Sequence, residues 1–270
     1  MLKRLFICLV FLPTQLAAQG TQFELFLKHL RLDEMLVVMR QEGLNDNATL
    51  PEDLMIGPAG SSWEEALDEI YDLGQMEETV ISAMHLSLGD DDLTDITDFA
   101  VSTAWQKAVD LELEARLAML DQNVADAAVE TYYRNLDKNS RRLSDLSELV
   151  ETADLIEGNV VGAMNAMLQF NLGLMHGGID VGYIEDELLA QIWSEEDAVR
   201  TEISEWLFSF LLLAYDPMDR DTLLEQIEFF KTAQGQRLNQ ALFDGFNAMF
   251  DTISFDLGEA VAKLLGEQVL

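Results

Sequence analysis

Apolar residues recur along this chain at steps of three and four. Leu238, Ala241, Leu242, Gly245, Phe246, Met249, Phe250 and Ile253 fall on one face of a helix, and Trp105, Ala108, Val109, Leu113, Leu117 and Leu120 do the same earlier. Alternating β-branched runs are nearly absent and only four Pro occur, so the pattern predicts an all-α fold. Helices are expected over Thr21–Gln41, Ser62–Leu86 and Asp91–Val101, with a longer one from Thr103. A loop carrying Pro51 and Pro58 separates the first two, and Val124–Gly173 is expected to be largely helical with a turn near Asp137–Ser144. The run Trp206–Tyr215 is too short to span a bilayer, which takes about 20 residues, and predicts a helix buried on most sides.

The pattern repeats. Asp91–Lys107 (DDLTDITDFAVSTAWQK) returns 130 positions later as Asp221–Arg237 (DTLLEQIEFFKTAQGQR). At the same offset Trp63 matches Trp193, Glu65 matches Glu195, and Ala118-Met119 matches Ala248-Met249. These letters predict two tandem helical repeat units packed as one bundle-like body, over 21–121 and 155–270, with a helical linker region at 122–154. Within each unit the physics is that of helix, tight break, helix. Asp91 and Asp221 suit a first helical turn, while Ser102 and Thr232 stand where an N-cap begins the next helix. Gly235 leaves room for a close helix approach that Trp105 fills in the earlier unit.

Ahead of the repeats, a basic start at Lys3 and Arg4, an apolar run from Leu5 to Leu12 and small residues around Ala17-Ala18 predict a signal peptide over 1–18. Its removal takes away Cys8, the one cysteine, so thiol catalysis, disulfides and Cys-ligated metals are not expected in the mature chain. The expected address is the periplasm of a Gram-negative bacterium, with no transmembrane segment in the mature chain. The formal net charge of −34 turns away phosphate backbones and anionic headgroups, so nucleic acid is excluded as a partner.

The segment Phe229-Phe230-Lys231-Thr232-Ala233-Gln234-Gly235-Gln236-Arg237, behind a helical stretch and a signal peptide, resembles the exported bacterial proteins grouped as domain of unknown function 2059. The family pattern there is Phe-Tyr-x-Ser-Pro-x-Gly-Gln. Ala233 stands in place of its Pro, and the earlier segment departs further, with Ala100, Thr103 and Trp105 for the second aromatic, the Pro and the Gly. The resemblance covers the segments around these two motifs and leaves Gln122–Asp154 outside. It implies a helical periplasmic protein with no established catalytic residues.

Constellations for chemistry are sparse. His29, His85 and His176 have no partner at metal-binding spacing, and no nucleophile elbow, phosphate loop or dinucleotide fingerprint occurs, so no catalytic residue, metal or cofactor is expected. The acidic turns Gly89–Asp92 and Asp216–Asp221 lack the spacing of a calcium loop and suit helix caps. Arg134, Lys138, Arg141 and Arg142 form the one basic island. Candidate binding residues are Trp63, Trp193 and the pairs Gln106-Lys107 and Gln236-Arg237, on a groove shared by the two units, together with Arg141 and Arg142 of the island. The expected function is non-catalytic binding of a protein or a cell-envelope component. The alternative is a carboxylate-dependent hydrolase acting on an envelope polymer, through paired acids such as Glu64-Glu65 or Glu195-Glu196.

Overall fold

A computed structural model describes residues 14–54, 56–58, 60–89, 92–179, 182 and 185–268. All regular structure among them is α-helical: α1 (Thr14–Leu30), α2 (Leu32–Asn47), α3 (Leu50–Asp53), α4 (Ser61–Ile70), α5 (Leu73–Leu88), α6 (Thr94–Ala100), α7 (Thr103–Met119), α8 (Gln122–Lys138), α9 (Arg141–Thr152), α10 (Leu155–His176), α11 (Glu185–Ser194), α12 (Glu196–Tyr215), α13 (Arg220–Phe230) and α14 (Ala233–Gln268). Most of the expected signal peptide lies outside the described residues. Phe23, Phe26 and Leu30 of α1 enter the core.

The periodicity located the helices but joined some that are separate. The stretch expected as Thr21–Gln41 breaks at Arg31, whose left-handed backbone (φ 53°, ψ 43°) turns α1 into α2. The stretch expected as Ser62–Leu86 breaks at Tyr71, and Asp72 caps α5 by accepting from the Gln75 amide at 3.0 Å. Tyr71 is driven into the core at this break, and burial pushes its phenol up to about 12. The turn expected near Asp137–Ser144 is a left-handed Asn139 followed by the N-cap Ser140. Asp91 lies outside the described residues, and Asp92 accepts from the Thr94 amide at 2.9 Å. Asp219 caps α13 through the Thr222 amide at 2.9 Å, leaving Asp221 in the first turn.

Several local devices occur twice. Ser102 accepts from the Trp105 amide at 3.2 Å, and Thr232 from the Gly235 amide at 3.0 Å. Arg31 has its parallel in Asp154, again left-handed (φ 49°, ψ 37°) between two helices, α9 and α10. Gln106 Nε2 donates to the carbonyls of Ala100 at 2.8 Å and His29 at 2.9 Å; Gln236 Nε2 donates to those of Phe230 at 2.6 Å and Thr152 at 2.7 Å. Each Gln thus ties the last turns of two helices, satisfying carbonyls that have no partner within their own helix. Between the halves, Phe99 and Phe229 stack with centroids 3.6 Å apart.

The two stretches expected as repeat units do not form separate cores. The first core, built on Phe26, Leu36, Trp63, Val80 and Ile96, is completed by Leu238, Ala241, Met249 and Ile253 of α14. The second, around Leu146, Leu211, Leu223 and Ile227, takes Ala108 and Ala115 from α7. The segment expected as a linker supplies Leu143, Leu146, Leu149 and Val150 to that second core. At the centre α10 and α14 run parallel in close contact, since a Cβ on Gly173 would fall 2.1 Å from the Phe255 carbonyl oxygen and one on Gly258 2.1 Å from that of Phe170. Among the described residues no helix is long and apolar enough to cross a membrane.

Candidate functional site

The residues singled out from the sequence hold the fold together more than they line a site. Trp63 is 1% exposed, with Nε1 donating to the Asn47 carbonyl at 2.9 Å, whereas Trp193 on α11 is 58% exposed. A buried Trp63 cannot line an open groove, so the two tryptophans do not form one. Gln106 and Gln236 are engaged at helix ends, as above. Lys107 reaches Asp219, the N-cap of α13, at 3.0 Å, and Arg237 donates to the carbonyl of Leu88, the last residue of α5, so each basic residue clasps a helix end distant in sequence. Arg142 donates to the carbonyls of Tyr215 and Met218, tying down the turn between α12 and α13, while Arg141 is exposed. Among the described residues no group of three or more His, Cys, Asp or Glu side chains could hold a metal ion.

A cavity opens instead, walled by α2, α7, α10, α12 and α14. Its main body has a volume of about 550 Å³ and is lined largely by apolar side chains, among them Met35, Met39, Phe243, Phe246 and Phe250. An inner lobe of about 240 Å³ reaches Tyr215, Gln226 and Trp105. An outer vestibule of about 540 Å³ is lined by Glu42, Asn45, Asp46 and Gln122. Arg116, Trp206 and Phe210 border all three. Ala163 and Ala166 on α10 keep the floor low, and Trp206 and Phe250 remain 40% and 38% exposed at its edge.

Local sequence sets this geometry. Glu112 and Arg116 are four residues apart on α7 and so share one helix face, as do Trp206 and Phe210 on α12. The indole and phenyl rings stack 5.3 Å apart and nearly parallel, and the Arg116 guanidinium carbon lies 5.7 Å and 5.6 Å from their centroids. A cation near aromatic rings is attracted by their electron-rich faces, worth about 0.5–1 kcal/mol where exposed and more where dry. Arg116 Nη1 also meets Glu42 Oε2 at 2.7 Å. One turn deeper, the Tyr215 hydroxyl donates to Glu112.

The electrostatics are unusual for so small a volume. Burial holds the Glu112 carboxyl above its ordinary range, against the opposing pull of the Tyr215 hydrogen bond and Arg116. Burial likewise raises Glu42, again opposed by Arg116, and raises Asp46. Desolvation, then the neighbouring Glu112 charge, pushes the Tyr215 phenol well up. Two carboxyls, Glu42 and Glu112, thus face one guanidinium, and Asp46 lies close enough to Glu42 to raise it further. At the 130-residue offset, Glu112 and Arg116 correspond to Leu242 and Phe246, which line the same cavity from α14. Trp206 and Phe210 correspond to Met76 and Val80, both buried in the first core. Apolar side chains serve at the matching positions, so packing alone does not demand the charged cluster. No family model, curated protein or solved structure matches the chain.

Proposed function

We propose that this is a non-catalytic binding protein, exported to the periplasm, whose cavity between the two halves takes up the apolar part of a small molecule from the cell envelope. The observation that carries this reading is the open cavity of about 550 Å³, apolar over most of its wall and bordered on one side by Arg116 and Glu112. Its volume lies in the range of small-molecule sites, and a mostly apolar wall with a few convergent polar groups is their common design. The paired caps, the paired Gln bridges and the two left-handed breaks support an origin by tandem duplication, with the site arising where the copies diverged. The signal-peptide pattern and the resemblance to exported helical proteins support the address.

N-phenyl-1-naphthylamine, a neutral dye that brightens in apolar surroundings, tests the reading directly. The native protein is expected to bind it saturably, and Ala163→Trp, which fills the floor, to abolish binding while leaving the circular dichroism unchanged. Dye fluorescence unaffected by the native protein, or equal in both proteins, would sink the proposal.

A carboxylate hydrolase is the second reading, favoured by the raised carboxyls of Glu112 and Glu42 in one cleft. It is the weaker because both raised glutamates are engaged within the protein, Glu42 by Arg116 and Glu112 by the Tyr215 hydroxyl. Release of soluble fragments from purified cell-wall polymer, lost in Glu112→Gln, would reverse that ranking.

A further inference from the structure

Resting on the binding function above, we propose that the ligand is an amphiphile with a cationic head, its chain in the apolar cavity and its head in the vestibule at Glu42 and Asp46. The cavity has two chemically different ends. Its body offers rings and thioethers, while the vestibule offers the carboxylates of Glu42 and Asp46 with the amides of Asn45 and Gln122. A molecule that satisfies both ends has an apolar chain and a small polar head.

Charge then selects the head. An anion would need Arg116, but that guanidinium is bound to Glu42 at 2.7 Å and packed near two rings. Drawing it to an anion would leave Glu42, with a side chain only 27% exposed, as an unpaired and poorly hydrated carboxylate. A cation meets no such conflict. Asp46 and Glu42 both line the vestibule, and Trp206 and Phe210 line both it and the cavity body, offering ring surface to an ammonium group. The formal net charge of −34 adds a field that draws cations and repels anions over the whole surface.

The test is displacement of bound N-phenyl-1-naphthylamine by decyltrimethylammonium and by decanoate, both below their micelle-forming concentrations. The cationic chain is expected to displace the dye at a concentration at least about tenfold lower, and Asp46→Asn to narrow that preference about three- to tenfold. Ala163→Trp is expected to lose direct binding of decyltrimethylammonium by titration calorimetry, whereas a cation held only by the protein's general negative charge would still bind. Equal or better displacement by decanoate, or a preference untouched in both Asp46→Asn and Asp46→Asn/Glu42→Gln, overturns the cationic head and leaves the binding function standing. Failure of the dye itself to bind overturns both.

Discussion

Arg116→Ala is the substitution that most directly tests whether the charged cluster is a coupled unit. It removes the ion pair to Glu42 and the packing against Trp206 and Phe210, and leaves two carboxyls facing the cavity without their cation. Stripping one partner from a wholly buried pair costs about 3–5 kcal/mol. Here the side chains keep 19% and 27% of their exposure, so water offsets part of the loss and about 2 kcal/mol is the better figure for the pair. The two ring contacts add roughly 0.5–1 kcal/mol, for a total of about 2–3 kcal/mol. Urea unfolding followed by far-ultraviolet circular dichroism measures it as a lower midpoint at unchanged slope.

The pH dependence carries the sharper information. Arg116 pulls the Glu42 carboxyl down against burial and, after the Tyr215 hydrogen bond, does the same for Glu112, so without it both rise further above the ordinary glutamate value of 4.5. A carboxyl whose folded value is raised disfavours the fold while ionised. The penalty is present at neutral pH, shrinks as pH falls through the raised folded value, and is gone below the unfolded value. The deficit of Arg116→Ala relative to the native chain is therefore expected to be largest at pH 7 and to narrow toward pH 5. A deficit under about 0.5 kcal/mol, as for an ordinary surface residue, or one that widens on acidification, would refute the reasoning.

Gln236→Ala should cost about 1–2 kcal/mol by the same unfolding assay, because it strands two helix-end carbonyls, whereas Gln106→Ala should cost about 1 kcal/mol, because Trp105 Nε1 still donates to the His29 carbonyl at 3.2 Å. Gly173→Ala and Gly258→Ala place a methyl group 2.1 Å from a backbone oxygen and should destabilise by about 1–3 kcal/mol, whereas Gly60→Ala meets nothing within 4 Å and should be near neutral in thermal unfolding. Trp193→Ala, at an exposed position, should change stability by less than about 0.5 kcal/mol, while Trp63→Phe should lose about 1 kcal/mol with its bond to Asn47.

Much of the fold was legible because its determinants are local. The step of three and four that places Leu238, Ala241 and Met249 on one buried face is written in adjacent letters, and so are the caps Ser102, Thr232 and Asp219. The breaks at Arg31 and Asp154 were not legible. A left-handed Arg or Asp costs about 1–2 kcal/mol by itself, and it is imposed by the packing of the helices on either side, which no short window shows. The same cause hid the difference between Trp63 and Trp193. They match in letter and offset, yet the first is sealed beneath α2, while the second lies on α11, whose small cluster of Leu188, Ile192, Val160 and Met164 leaves it outside.

The site was missed for a deeper reason. Letters shared at the 130-residue offset fall on caps, core positions and helix-end bridges, which are needs of the fold. Gln106 and Gln236 matched because each must satisfy the same pair of helix-end carbonyls. A site used once has the opposite signature. It sits where matched positions disagree in kind, as Glu112 does with Leu242 and Arg116 with Phe246. Those disagreements are visible in the letters, but so are many others between copies of low identity, and most are neutral surface drift. What singles these out is that α12 packs on α7 across the halves and brings Trp206, Phe210 and Tyr215 onto the two divergent α7 positions. The informative signal is divergence at matched positions that the topology brings together, which becomes readable only once the packing of α7 against α12 is known.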